Sequence, residues 1–148
     1  MEYPYLSAKV TRIKPESQYD GKIYDQTVFV ELSDGTIIDI FDSKMLCGPQ
    51  MIGMIKKVTI NVDIGDIERI EPRFGISPSY IINKPSGQGH KFYGQIEDVD
   101  VVHSEIIVNI GEGKILAMPA RSQIKELHIG EFVSIFSVRT VLEKIQDS

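Results

Sequence analysis

The chain of 148 residues is 42% hydrophobic and 25% charged, proportions that argue against extensive disorder and leave room for one full core or two small ones. A formal charge of −5 disfavours a broad electrostatic footprint for phosphate backbones, and a lone cysteine, Cys47, excludes an internal disulfide and fits a reducing compartment. Residues 1–6 lack the basic stretch and apolar run of a signal peptide, and no window reaches the ~18 apolar residues of a membrane span, so a cytoplasmic location with no membrane contact is expected.

In chain order, residues 6–14 read as a first strand, and residues 27–40 as strand, acidic-glycine turn at Asp34 and Gly35, and strand. Residues 42–50 hold at most a short helix, because Gly48 and Pro49 interrupt it early. Strict alternation follows: Val58, Ile60, Val62 and Ile64 fall on one face and Thr59, Asn61 and Asp63 on the other, so this fourth strand covers a core and faces water. Residues 67–70 read as a fifth strand, joined to the fourth by a solvated hairpin tip at residues 63–68. Residues 73–91, with Pro78, Pro85, Ser86, Gly87 and Gly89, have linker composition, and Tyr80, Ile81 and Ile82 within them suit a short edge strand.

The same order then recurs. Residues 92–102 lead, residues 105–118 can be laid over 27–40 with Glu112 and Gly113 at the turn, and residues 119–127 form a short helix opened by Pro119 or Ser122. Met51, Ile52 and Gly53 match His128, Ile129 and Gly130, each ahead of an apolar strand. The second copy of that strand is apolar on both sides: Val133 and Ile135 point one way, and Phe132, Phe136 and Val138 point the other. A second apolar face calls for a cover, which makes these three residues candidate interaction residues. The expected fold class is therefore mostly β: two tandem five-stranded OB-like or SH3-like barrel modules, each with at most one short helix. The first module spans 1–72, the linker 73–91 and the second module 92–148.

Candidate chemistry is sparse. His90 and Lys91, beside Gly87 and Gly89, are candidate anion ligands, with a linker the competing reading. Asp63, Asp66 and Glu68 are candidate ligands for a hard cation such as calcium, against the simpler hairpin tip. The histidines His90, His103 and His128 show no metal-ligand spacing and read as surface residues, and Cys47 reads as a buried or half-buried thiol without a partner base. Tyr19, Tyr24, Phe29, Phe41, Phe92 and Tyr93 are the candidate stacking platforms for single-stranded nucleic acid, with few basic residues near them. No cofactor and no catalytic residue is expected.

Residues 92–145 resemble the TOBE and Mop-like small barrels of transporter ATPases and molybdate-binding proteins. The resemblance is carried by residues 106–110, residues 114–118 and the short helix followed by Ile129, Gly130 and Val133. It implies the barrel architecture. The Ser-Ala-Arg-Asn-type start of the family's oxyanion-binding modules is replaced here by Gly89, His90, Lys91, Phe92, Tyr93 and Gly94. The expected function is a non-catalytic binding or assembly role, through self-association or a protein partner, with single-stranded nucleic-acid or small-ion binding as the alternative.

Overall fold

Strands run further through the chain than its turn signals suggest. The structure is a computed structural model, and the residues described are 4–71, 80–83 and 90–148. The strands are β1 (Leu6–Tyr19), β2 (Lys22–Glu31), β3 (Ile37–Asp42), β4 (Ile55–Ile70), β5 (Tyr80–Asn83), β6 (His90–Asp100), β7 (Glu105–Asn109), β8 (Lys114–Met118) and β9 (Phe132–Asp147). A single 3-10 turn, Pro49–Met51, precedes β4, and one short helix, α1 (Arg121–Ile124), precedes β9 within the stretch expected to be helical. Ala120 opens α1 without a side-chain cap, and the Gln123 side chain accepts the Ala120 N–H instead. The short edge strand expected near Tyr80 is β5, which pairs antiparallel with β6.

The nine strands form one mixed sheet in the order β1-β2-β3-β9-β4-β8-β7-β6-β5, which closes on itself through further pairings of β1 with β4 and of β9 with β6. Two tandem barrels, each closed by its own stretch of chain, are therefore not what forms. The turn expected at residues 63–68 is absent. Gly65 has no positive φ, and β4 continues through it for 16 residues, with register shifts between Asp63 and Ile64 and between Ile64 and Asp66. β9 likewise runs for 16 residues without a turn, and the two pair antiparallel from Lys56 opposite Asp147 to Ile70 opposite Phe132.

The reason for continuing lies in packing. A turn at Gly65 would strip the first half of β9 of a neighbour on one edge, whereas extension pairs Ile67 with Ile135 and Arg69 with Val133. Ile64 and Ile67 then pack against the core. Irregular register at the crossing accommodates the twist that two such long strands accumulate.

Each long strand therefore serves two circuits of hydrogen-bonded strands. The first half of β4 pairs with β1, and the second half of β9 touches β3 in parallel at Phe41 and Val141. The first half of β9 pairs with β6, and Asn61 to Asp63 of β4 run parallel to β8. One continuous cluster of buried side chains fills both circuits, with Val28, Ile40 and Ile60 in the same core as Ile106, Ile115 and Ile135. Because β4 lies between neighbours on both edges, Thr59 is as buried as the valines beside it, and its hydroxyl donates to the Pro4 carbonyl. The water-facing side expected for this strand is thus partly enclosed.

The two halves use matched local devices. The Gly53 N–H donates to the Val10 carbonyl and the Val10 N–H to the Met54 carbonyl; the Gly130 N–H donates to the Ile96 carbonyl and the Ile96 N–H to the Glu131 carbonyl. Gly53 and Gly130 both hold positive φ, 89° and 94°, a conformation costly for other residues. The turns between β2 and β3 and between β7 and β8 meet at a hydrogen bond from the Ser33 hydroxyl to Glu112.

Strand sharing carries a direct test. A fragment ending at residue 72 lacks β9, and one starting at residue 90 lacks β4, so neither closes a circuit. Neither fragment alone is expected to give a cooperative thermal transition by circular dichroism, and equimolar mixing is expected to restore one. Cooperative unfolding of either fragment by itself would rule out sharing as the source of its stability.

Candidate functional site

Among the described residues, a buried polar constellation sits where β3, β6 and β9 meet. His90 opens β6 opposite Ser137 of β9, and the register turns its ring inward, leaving it 2% exposed. Its Nδ1 lies 3.0 Å from the Thr140 hydroxyl and its Nε2 lies 2.9 Å from Oδ1 of Asp39 on β3. The Ser137 and Thr140 hydroxyls are 2.9 Å apart, and the His90 ring packs tilted against Phe92, with 5.7 Å between centroids. A carboxylate only accepts, so Nε2 carries the proton toward Asp39, and Nδ1 either accepts from Thr140 or, in the cation, donates to it.

The expectation of a surface histidine fails at His90, and its physical reason is this network. A ring with a partner at each nitrogen can be buried, because its polar atoms are satisfied without water. His103 and His128 are exposed, as read from the sequence. They pair with Asp100 at 2.7 Å and Glu131 at 3.1 Å. The Asp100 contact raises the His103 imidazole above its ordinary value and holds the Asp100 carboxyl below its own.

An aspartate, a histidine and two hydroxyls in sequence resemble a hydrolytic relay, but access decides the chemistry. Ser137 is 0% exposed and Thr140 5%, so a substrate carbonyl has no approach to either oxygen. The constellation instead ties three strands together. Of the expected anion ligands, His90 is therefore committed inside. Lys91 lies on β6 with its ammonium 5.4 Å from the centre of the Tyr93 ring. Residues 87–89, the glycine-rich part of that reading, lie outside the described residues.

Asp63, Asp66 and Glu68 spread along an extended strand instead of gathering round a turn, opposite Arg139, Phe136 and Ser134 respectively. Among the described residues no group of three or more metal-ligating side chains converges. Phe132 and Phe136 are half-buried on the outward side of β9, and Val138 is 59% exposed. Phe136 and Val138 lean over Gly65, where an added Cβ would come within 3.0 Å of both side chains. Phe92, offered as a stacking platform, is 0% exposed and belongs to the core.

Cys47 is enclosed. Its N–H and that of Leu46 donate to Asp42, which also accepts from the Gln26 side chain. Burial, with the nearby Asp42 charge, pushes the thiol up to about 11. It is thus an inert structural thiol.

Sequence reasoning missed Asp39, Ser137 and Thr140 as members of one network. The available signal was the placing of Ser134, Ser137 and Thr140 in a strand otherwise rich in large apolar residues. Neither protein-family models, nor curated proteins, nor solved structures gave a match to this chain.

Asp39 yields a pH-dependent test. The hydrogen bond from His90 is the main cause holding its carboxyl below the ordinary value of 3.8. A lowered carboxyl contributes stability that is fully present above the ordinary value and is lost as pH falls through the lowered one. Asp39→Asn is expected to lower stability by about 1 kcal/mol near neutrality, a figure reduced for solvent screening, and to flatten the acid side of the curve. Urea unfolding from pH 7 down to pH 3 measures this; an unchanged acid limb in the variant would refute the assignment.

Proposed function

We propose that the protein is a non-catalytic association module of two OB-like circuits, and that it pairs with a second copy of itself across the outward side of β9. The OB-like reading is supported by a common strand order, β1-β2-β3-β9-β4 and β6-β7-β8-β4-β9, in which the last strand closes on the first. A helical turn precedes the fourth strand of each, and the third strand meets a long strand in parallel in both. The matched glycine hydrogen bonds support an origin by duplication.

The observation that carries the association reading is the Phe136–Val138 strip and its flanks. Asp66 on β4, Phe136 on β9 and Lys91 on β6 lie side by side in register. A twofold axis parallel to β9 lays the apolar strip of one copy on that of the other and sets the basic flank of each over the acidic flank of its mate. Such a patch is self-complementary, as a closed dimer requires.

Sedimentation equilibrium tests this. The wild-type chain is expected to dimerise, with Phe132→Ser/Phe136→Ser shifted to monomer. Val138→Asp, at a position 59% exposed, is expected to weaken dimerisation at least about tenfold, with the thermal midpoint of the monomer checked alongside. A wild-type chain that stays monomeric at about 100 μM, or a Val138→Asp dimer of unchanged strength, would sink the proposal.

A second reading is favoured by the outward side of β2 and β3. The Arg12 guanidinium lies 5.2 Å from the centre of the Phe29 ring, and Arg139 lies 4.0 Å from that of Phe41. Rings on strands two and three, each covered by a cation from a neighbouring strand, Arg12 on β1 and Arg139 on β9, suit single-stranded nucleic acid. Fluorescence anisotropy with a single-stranded oligonucleotide is expected to show binding that falls steeply with added salt and weakens in Arg12→Ala/Arg139→Ala. Absence of salt-sensitive binding at about 10 μM protein removes this reading.

A further inference from the structure

At the far end of β6 from Lys91, the chain turns through residues 101–104 into β7. The sequence reads Val101 and Val102 as the end of a strand; the strand stops at Asp100, and both valines stand in the turn, 51% and 78% exposed. Turns favour glycine, proline, asparagine, aspartate and serine, so two adjacent valines at a turn tip are a departure that folding does not explain. The turn is also held in one shape. The His103 N–H and Nδ1 bond to the Asp100 carboxylate, at 3.1 and 2.7 Å, and the buried Ser104 hydroxyl donates to the Pro119 carbonyl at 2.6 Å.

That last bond ties the turn to the segment leading into α1, and the space between them is a groove of about 620 Å³. Val101 and Val102 line one side, Arg121, Ser122 and Lys125 the other, and Ile124 the base. Ile124 is 1% exposed, which anchors α1 in the core and keeps the second wall in place. Arg121 and Lys125 are exposed, and among the described residues neither makes an ion pair. On the other side of Val101, Asp98, Asp100 and Glu105 line a separate recess of about 270 Å³. The valine tip therefore divides a basic wall from an acidic one.

We propose that this groove docks a short acidic segment of a partner protein, with one bulky apolar side chain seated against the exposed Val101 and Val102 and flanking carboxylates on Arg121 and Lys125. The pre-tied walls lower the ordering cost of such a contact, and the unpaired cations supply the attraction. The acidic recess repels the same carboxylates from the opposite side of the tip and so sets the direction in which the segment lies. A nucleic acid or an anionic membrane presents negative charge continuously and meets Asp98, Asp100 and Glu105 as well. A peptide can place its charges on one side only. The inference stands apart from self-pairing across β9, which uses the other end of β6.

Anisotropy with fluorescein-labelled peptides on the full chain tests it, using Leu or Phe at the centre flanked by Asp, and matched peptides flanked by Lys or centred on Ala. The Asp-flanked apolar peptides are expected to bind with Kd on the order of 10–100 μM. Arg121→Glu/Lys125→Glu is expected to weaken that binding at least about tenfold and to turn the preference toward the Lys-flanked peptides. Val102→Ser is expected to weaken binding by about tenfold while leaving the thermal midpoint unchanged, since the side chain is exposed. The proposal is overturned by no binding up to about 1 mM, by equal binding of Asp- and Lys-flanked peptides, or by wild-type affinity in either variant.

Discussion

The antiparallel ladder between β4 and β9 is the constraint on which the rest of the molecule depends. Each strand is 16 residues long, and each is shared between two circuits, so neither half of the chain can bury its own apolar residues without the other. Val58, Ile60 and Val62 on β4 and Val133, Ile135 and Leu142 on β9 are all at most 1% exposed. At roughly 1.5–3 kcal/mol for each fully buried side chain, the loss of either strand removes an amount comparable to a small domain's net stability. Sharing also solves a size problem, since circuits too small to stand alone are joined into one core. Its cost is kinetic: the central ladder pairs residues far apart in sequence, and its loop must close before the contacts reward it.

Where the long strands cross, the register slips, and polar side chains occupy positions that regular strands would fill with apolar ones. Ser137 and Thr140 lie on β9 near the register shifts, and His90 and Asp39 reach them from β6 and β3. Buried hydroxyls and an imidazole are tolerated because each has a partner, and the partners come from three strands that must be correctly placed together. The network thereby penalises a shifted register, which would leave several of its members unpaired. The same residues that look like a relay in a list act as a lock in space, because burial denies them a substrate. The features proposed for binding lie elsewhere, on the outward side of β9, at the arginine-capped rings on β2 and β3, and in the groove beside α1.

Much of the local structure was legible in the sequence. The turns at Gly35 and Gly113 need positive φ, and the alternation on either side marks the strands; both are properties of adjacent residues. The same holds for the short helix before β9, the edge strand at Tyr80 and the burial of Cys47. The chemistry was less legible. His90 borders a glycine-rich segment, which suggests a linker, and nothing adjacent to it announces Asp39 or Thr140 as its partners. Val101 and Val102 have strong strand propensity, and the bonds of His103 to Asp100 and of Ser104 to Pro119 hold them in a turn instead.

By itself, then, the sequence determined that this chain is built of strands, where most of them turn, and that similar landmarks recur in its two halves. It also determined that Phe132, Phe136 and Val138 share one side of their strand, because a period of two follows from backbone geometry alone. Only the tertiary structure decided that the chain runs straight past Gly65. Glycine is compatible with both a turn and an extended strand, and the choice was made by a partner strand roughly seventy residues away that needed an edge to pair with.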